Sequence, residues 1–515
     1  MPDTLSALDA AFISLERAQT PMHIGGLLVF KRQPEIDGRP GVDGIVDVLE
    51  RRLPLLPRCR QRLLRLPLGM GQPVWVDDPH FDIRRHVRHG RLAPPGTRRQ
   101  LLDLVGRIHA RPLDRSLPLW QLHIIEGLKE GRLAVYIKLH HAMADGASAI
   151  ELGLALFDLD AAGEALAPIT TGEVVTGLAD PRMLMAETAR RTAGAMLRRA
   201  EALLKHPPRL RQGIASAVSL RDVRGLLRPA PAGPLNFRVS GGRRVEVVAL
   251  PLGRAKEIKN RLGGTVNDVA LTAVAEAIHQ FLAHRSRPSD GVRYRVMVPV
   301  SKRTDQEKRT MGNRLSGMFI DLPVGPMNPA RRLWTISQMM GGLKQQRQAD
   351  AATYLVEIAS LTPPPMAALA MRLSARNQRI INLVVSNVPG VQAPIFCAGS
   401  RLEEIYPLLP LAPNTGLVIC VLSYNNVLHF GLVGDDQGLG DLDVLADGLR
   451  QGFRRLQHAA AGRGRPRQGA AQLTAVHYNG GRSQAATASA DATSANGVEM
   501  PARAPTMRRT KEPVG

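Results

Sequence analysis

The stretch LAVYIKLHHAMADG, residues 133–146, carries two signals at once. In its first half Leu133, Val135, Ile137 and Leu139 alternate with Ala134, Tyr136 and Lys138, the period of two of a β-strand. Its second half sets His140 and His141 at the end of that strand, followed by Asp145-Gly146. With the His and Gly content of this chain, the four fixed residues of His-His-x-x-x-Asp-Gly arise by chance on the order of 1 time in 500. Neighbouring side chains on a strand point to opposite faces, and no His-Glu-x-x-His or third ligand lies nearby, so a metal site is not expected. A single histidine fits better. Its unperturbed pKa of about 6.5 leaves the imidazole largely neutral at pH 7 and able to take a proton from a hydroxyl. Asp145 can hold an arginine or the turn backbone, and Gly146 lets the turn approach a neighbouring strand. A buried core histidine, with Asp145 capping the next helix, remains open as the plainer reading.

Working outward, the stretch ASAIELGLALF after Gly146 reads as a buried helix, and IGGLLVF (24–30) as a strand. Between them Asp43 is expected to cap a helix with Ile45, Leu49 and Leu53 on one face, stopped at Pro54. Residues 1–160 are therefore expected to form a mixed α/β unit. Residues 161–235 change character: Met185, Ala189, Thr192, Met196, Ala200 and Leu203 make one stripe of a helix beginning near Pro181. Across residues 181–228 there are 11 Lys or Arg and 3 Asp or Glu, a net of 11 − 3 = +8. That pattern suits a solvated connector or a basic helix lying on anionic lipid. From 236 to 462 strands (RVEVVAL, YRVMVPV, GMFIDLPV, INLVVSNV, GLVICVLSY) again interleave with helical patterns at Val269–Leu282 and Leu442–Leu456. The remainder, 463–515, is small, polar and basic, the composition of a disordered tail.

The 515 residues, 44% apolar, suffice for a large core. Lys and Arg number 68 against 45 Asp and Glu, a net charge of +23 that implies an anionic partner. Nucleic acid is not expected, because no recognition motif occurs and aromatics for base stacking make up only 4%. Cys59, Cys397 and Cys420 are odd in number and widely spaced, so neither a disulfide framework nor a zinc knuckle is expected. The first residues show no signal peptide, and no run reaches the roughly 18 apolar residues of a membrane span. His86 and His89, in RRHVRHGR, read as a solvated basic loop.

The motif does not stand alone. Together with LSALDAAFISLE, PMHIGGL, LPLLPRCRQRL, Pro118-Leu119-Trp120, GGTVNDVAL, PVSKR, MGNRLSG and SNVPG, it makes the chain resemble the bacterial wax ester synthase/diacylglycerol acyltransferase family. That family is a branch of the CoA-dependent acyltransferases that also include condensation domains and carnitine acyltransferases. The resemblance covers nearly all of the chain before the tail. It implies an α/β fold of two chloramphenicol-acetyltransferase-like subdomains, each a mixed sheet flanked by helices, joined by the helical linker.

The resemblance also implies roles. His141 would be the general base, His140 its positional partner, Asp145 mainly structural, and Gly146 the residue that keeps the substrate channel open. Pro118, Leu119 and Trp120 match the family block ahead of the catalytic strand. Asn267 and Asp268 match a pair that faces the motif from the second half, although Thr265-x-x-Asp268 is also a helix capping box. Ser386 and Asn387 belong to the block near the interface of the halves. Gln121 stands where an acid is frequent in the family and Val391 where proline is common, which bears on specificity. The implied reaction moves a long-chain acyl group from acyl-CoA to diacylglycerol or a long-chain alcohol, with no metal and no cofactor. The expected location is cytoplasmic, peripheral to the inner membrane face or lipid inclusions. A carrier-protein-dependent condensation enzyme and a non-catalytic lipid-inclusion binder are the alternatives. A third rests on His140-x-x-x-x-Asp145 as the His-Asp pair of glycerolipid phosphate acyltransferases, whose companion block is missing here.

Overall fold

Near-continuous apolar strands need cover on both faces, and this chain supplies it with two six-stranded mixed sheets that share a core. The computed structural model describes residues 5–31, 41–64, 73–144, 153, 156–159, 229–301, 315–345, 380–397 and 399–462, with five isolated helical positions at 186, 190, 194, 197 and 201. The expected basic helix near Pro181 and the helix after Gly146 lie almost wholly outside these residues, and the tail from 463 lies outside them entirely.

The first sheet is built on β1 (His23–Phe30), β4 (Val87–Arg91), β5 (Trp120–Glu126) and β6 (Leu133–His140). It is completed by two strands from much later in the chain, β11 (Phe396–Cys397) and β12 (Ser400–Leu408), in the order β11-β12-β1-β6-β5-β4. The second sheet consists of β7 (Arg243–Pro251), β8 (Arg293–Ser301), β9 (Leu315–Pro323), β10 (Leu383–Pro389), β13 (Leu417–Tyr424) and β14 (Val427–Asp435). Their order is β7-β14-β13-β10-β8-β9. Parallel pairs sit beside antiparallel ones in both. A short hairpin, β2 (Gln61–Leu64) with β3 (Val74–Asp77), stands apart.

Period-two alternation assigns the faces of the second sheet. Val385, Ile419 and Val421 face a helix-side core, whereas Val384 and Val418 enter the core shared with the first sheet. The helix side is covered by α4 (Leu252–Leu262), α5 (Val266–His284), α6 (Pro329–Gln345) and α7 (Leu442–Gly462). α5 is buried along most of its length because α7 and α6 lie over it. A buried ion pair fastens this layer: Glu276 of α5 accepts from Arg332 of α6 and, at 2.5 Å, from Arg455 of α7.

On the N-terminal side stand α1 (Ala7–Leu15), α2 (Gly41–Arg52) and α3 (Arg98–Ala110). α2 buries Ile45 and Leu49 as its pattern requires. It begins at Gly41, so Asp43 lies inside the first turn rather than at the cap, where an acid still complements the helix dipole. The reading of RRHVRHGR as a solvated loop is corrected. His89 is exposed on the edge strand β4 and meets Glu126 at 2.9 Å, but His86 is buried. Its ring stacks between Phe81 and Trp120, at 5.3 and 4.5 Å, and its Nδ1 donates to the Trp120 carbonyl. The three cysteines are all buried and unpaired by disulfide.

α3 links the halves. Leu101, Leu102 and Val105 enter the shared core beside Val245 and Val247 of β7, and Gly106 lets the helix approach that strand. A Cβ at Gly106 would fall 2.5 Å from the Arg243 carbonyl oxygen, a backbone atom that cannot swing away. Gly106→Ala is therefore expected to force α3 off β7 and destabilise the fold by about 1–3 kcal/mol, read as a lowered thermal midpoint in circular dichroism. A midpoint at or above that of the parent would refute the close approach.

Candidate active site

β6 ends at His140, and three backbone hydrogen bonds set the path of the chain beyond it. The His140 N–H donates to the Leu119 carbonyl at 2.9 Å, the His141 N–H to the Met22 carbonyl at 2.9 Å, and the Met143 N–H back to the His140 carbonyl at 2.9 Å. The first two extend the β5 and β1 pairings by one residue; the third turns the chain. Inside that turn the Ala142 N–H donates to Nδ1 of His140 at 3.0 Å. A ring nitrogen that accepts a hydrogen bond carries no proton, so the hydrogen of the His140 ring sits on Nε2.

That Nε2 faces Oε1 of Glu16 at 3.6 Å. Glu16 follows α1 directly and is held from several sides. Met22 N–H donates to Oε1 at 3.1 Å, and the Arg115 Nε donates to Oε2 at 2.6 Å, with a further Arg115 contact through Nη2. Burial alone would raise the carboxyl pKa. The imidazole of His140 and the guanidinium of Arg115 outweigh it and hold Glu16 down at about 2. It is a carboxylate at any ordinary pH.

His140 is wholly buried at 0% exposure, whereas His141 keeps 8% of its surface. The His141 ring lies flat on Phe12 of α1, with centroids 4.0 Å apart and planes 14° from parallel. One ring is thus sealed against Glu16, and the other, also buried, lies on an aromatic platform. Asp145 and Gly146, the remaining fixed residues of the motif, lie outside the described residues.

Beneath the pair is a compact polar group. His23 pairs with His140 across β1 and β6 and bonds through Nε2 to the His109 carbonyl at 2.5 Å. The His109 ring contacts the Leu409 carbonyl through Nε2 at 3.2 Å, which requires a hydrogen there and leaves Nδ1 to accept from the Tyr136 hydroxyl at 2.6 Å. Lys138, fully buried, donates to the Ile108 and Arg111 carbonyls at the C-terminal end of α3. Burial first, then the Lys138 charge, pushes the His23 pKa well below its ordinary value and that of His109 down to about 3. Burial also lowers Lys138 to about 7, against the opposing pull of Glu16. These imidazoles are neutral hydrogen-bonding groups.

Pro118, Leu119 and Trp120 are buried in the N-terminal core. Trp120 Nε1 donates to the Cys59 carbonyl at 2.7 Å, and the Leu119 carbonyl holds the His140 backbone. In the second half, Thr265 and Asp268 form the capping box of α5: Asp268 N–H donates to Oγ1 of Thr265 at 3.2 Å and Thr265 N–H to Oδ2 of Asp268 at 2.8 Å. Asn267, between them, is joined to the other matched block, since Asn387 Nδ2 donates to its Oδ1 at 3.2 Å. The amide nitrogen of Asn267 is thereby left as its donor end. Ser386 occupies the face of β10 that carries Val384, the side shared with the first sheet. Soon after the SNVPG block the chain crosses to β11, and Tyr424 ties the crossing by accepting from Ile395 N–H at 2.9 Å and donating to the Leu402 carbonyl at 3.0 Å.

Glu16, Phe12, Met22, His23 and Arg115 had no role assigned from sequence. For the first four the signal was present only as the blocks LSALDAAFISLE and PMHIGGL, whose shared position beside the histidine pair appears in three dimensions alone; Arg115 lies in neither block. Among the described residues no three His, Cys, Asp or Glu side chains gather as a metal site, and no helix is long and apolar enough to cross a membrane.

Comparison with known proteins identifies the family of the chain. Residues 5–270 match the family model of the wax ester synthase/diacylglycerol acyltransferase catalytic domain, and residues 311–457 that of the WS/DGAT C-terminal domain. The protein named probable diacyglycerol O-acyltransferase tgs1 of Mycobacterium tuberculosis is 33% identical over 457 residues, covering 88% of this chain and 95% of its own. A second from the same organism, tgs2, is 31% identical over 462 residues, covering 89% and 99%. Among solved structures, the wax ester synthase/diacylglycerol acyltransferase of Marinobacter aquaeolei VT8 superposes with a TM-score of 0.64 at 28% identity, over 89% of this chain and 100% of that one. The first condensation domain of the calcium-dependent antibiotic synthetase shares the fold, with a TM-score of 0.57 at 18% identity over 90% and 97%. The expected two-unit α/β architecture is the one these structures have, and the chain belongs to the wax ester synthase/diacylglycerol acyltransferase family and is an acyltransferase.

Proposed function

We propose that this chain transfers a long-chain acyl group from acyl-CoA to the hydroxyl of diacylglycerol or of a long-chain alcohol, with His141 as the general base. One observation carries the reading: of two adjacent buried histidines, His140 has no exposed surface and is committed to its turn, while His141 lies flat on Phe12 and retains 8% exposure. The names of the mycobacterial relatives support diacylglycerol as an acceptor, and that of the Marinobacter protein supports wax ester formation as well.

A thioester is already activated, so the alcohol needs only a base. His141 takes the hydroxyl proton as the oxygen attacks the carbonyl carbon, and the carbonyl electron pair moves onto oxygen. When the tetrahedral intermediate collapses, the C–S bond breaks and the imidazolium returns the proton to the CoA thiolate. Ester and free CoA result, both substrates are held together, and no acyl-enzyme forms. The oxyanion requires a hydrogen-bond donor, for which the Asn267 amide nitrogen and a backbone N–H beside Gly146 are the candidates. Asp145 is assigned no part in the proton transfer, and Asp268 caps α5. The acceptors are insoluble in water, and the net charge of +23 suits collection of them at an anionic membrane or lipid-inclusion surface on the cytoplasmic side.

His141→Ala is expected to lower kcat by about 10²–10⁴-fold in a labelled palmitoyl-CoA assay, with the far-ultraviolet circular dichroism of the parent. Parental turnover would remove His141 as the base. The purified protein is also expected to acylate diacylglycerol or hexadecanol from palmitoyl-CoA faster than from a palmitoyl carrier-protein thioester; the reverse preference would replace the CoA donor by a carrier protein.

A further inference from the structure

We infer that Glu16 is a positioning residue for this reaction, acting through the buried ring of His140 to fix the turn that displays His141. The inference rests on His141 as the base. A carboxylate taken out of water is destabilising unless compensated, and Glu16 is compensated without being hidden from the site. Arg115 binds Oε2, and the Met22 N–H donates to Oε1. The same Oε1 faces His140 Nε2 at 3.6 Å, beyond a hydrogen bond but well within electrostatic reach.

The consequence for His140 is directional. Of the two neutral forms of the ring, a negative charge next to Nε2 favours the one with its hydrogen on Nε2, which leaves Nδ1 to accept from Ala142 N–H. The other form would set N–H against N–H at Ala142 and a lone pair against the carboxylate. Glu16 therefore selects the form that closes the turn between His140 and Met143. His141 lies inside that turn. Two of its supports also lead back to the same segment, for Phe12 lies in α1 and the Met22 carbonyl belongs to the residue whose N–H binds Glu16. Arg115, which also donates to the Ile13 carbonyl at 3.1 Å, fastens the end of α1. One carboxylate thus connects the platform under His141, the backbone behind it and the ring that shapes its turn.

The test is a double-mutant cycle on the full chain, with kcat and KM for palmitoyl-CoA measured for the parent, Glu16→Gln, His140→Gln and the double variant, at a temperature where circular dichroism shows each folded. Glu16→Gln keeps the size of the side chain and removes its charge. The expected result is a fall in kcat of about 10²-fold with KM within about threefold, a similar fall for His140→Gln, and little further loss in the double variant. Glu16→Asp, which keeps the charge but withdraws it by one methylene, is expected to fall between parent and Glu16→Gln, and it serves where Glu16→Gln does not fold. Additive losses, parental kcat in either Glu16 variant, or a rise in KM at constant kcat would each overturn the inference. If His141→Ala retains turnover, the assignment of the base has failed instead; if it abolishes turnover while Glu16→Gln keeps it, this inference alone has failed.

Discussion

The pairing of β1 with β6 is the constraint on which the site depends. Its register, from His23 opposite His140 to Phe30 opposite Leu133, is unbroken over eight residues. A slip by one residue would exchange the two faces of the strand along its whole length, bringing the polar row of Tyr136, Lys138 and His140 against the apolar N-terminal core. Gly25 shows how the register is fixed. The Tyr136 ring lies over it, and any β-carbon at that position would overlap the tyrosine hydroxyl. The glycine leaves room for the ring, the ring bonds to His109, and His109 receives His23 at its carbonyl.

The electrostatics of this region follow from its dryness. Several imidazoles, a lysine and a carboxylate occupy a volume from which water is largely excluded, and a charge there survives only with partners. The lysine meets the requirement at the C-terminal end of α3, where the last carbonyls and the negative end of the helix dipole accept a cation. Its positive charge in turn holds the neighbouring histidines neutral. The carboxylate of Glu16 is the counterweight, paired with Arg115 and near enough to Lys138 to raise its pKa against the effect of burial. The N-terminal segment, the end of α3 and the end of β6 are bound by complementary charge as well as by packing.

What the sequence made legible was local. The alternation in residues 133–139 is the strand β6, the apolar runs of β10 and β13 are the covered strands of a mixed sheet, and Thr265-x-x-Asp268 is a capping box. The histidine pair at a strand end was equally plain. Nonlocal facts were not. SRLEEIYPL carries a period of two but nothing in it says that it will leave the sheet of its sequence neighbours and pair with β1. His86 sits among arginines and reads as solvated, yet Phe81 and Trp120 close over its ring. Glu16 is, in sequence, an ordinary acid after an ordinary helix; its meaning comes from Arg115 and His140, both distant along the chain.

The crossing strand gives the two-sheet design a consequence for how the site forms. Met22, whose carbonyl holds the His141 backbone, directly precedes β1, and β1 is flanked by β6 on one side and β12 on the other. The strand that closes its second edge comes from the part of the chain that also builds the second sheet, reached through SNVPG and tied by Tyr424. An unpaired β1 would present a row of open backbone groups and would hold Met22 loosely. Full rigidity behind His141 is thus reached only when the late strand has docked, which couples the geometry of the proposed base to the folding of the half that carries Asn267 and Asn387.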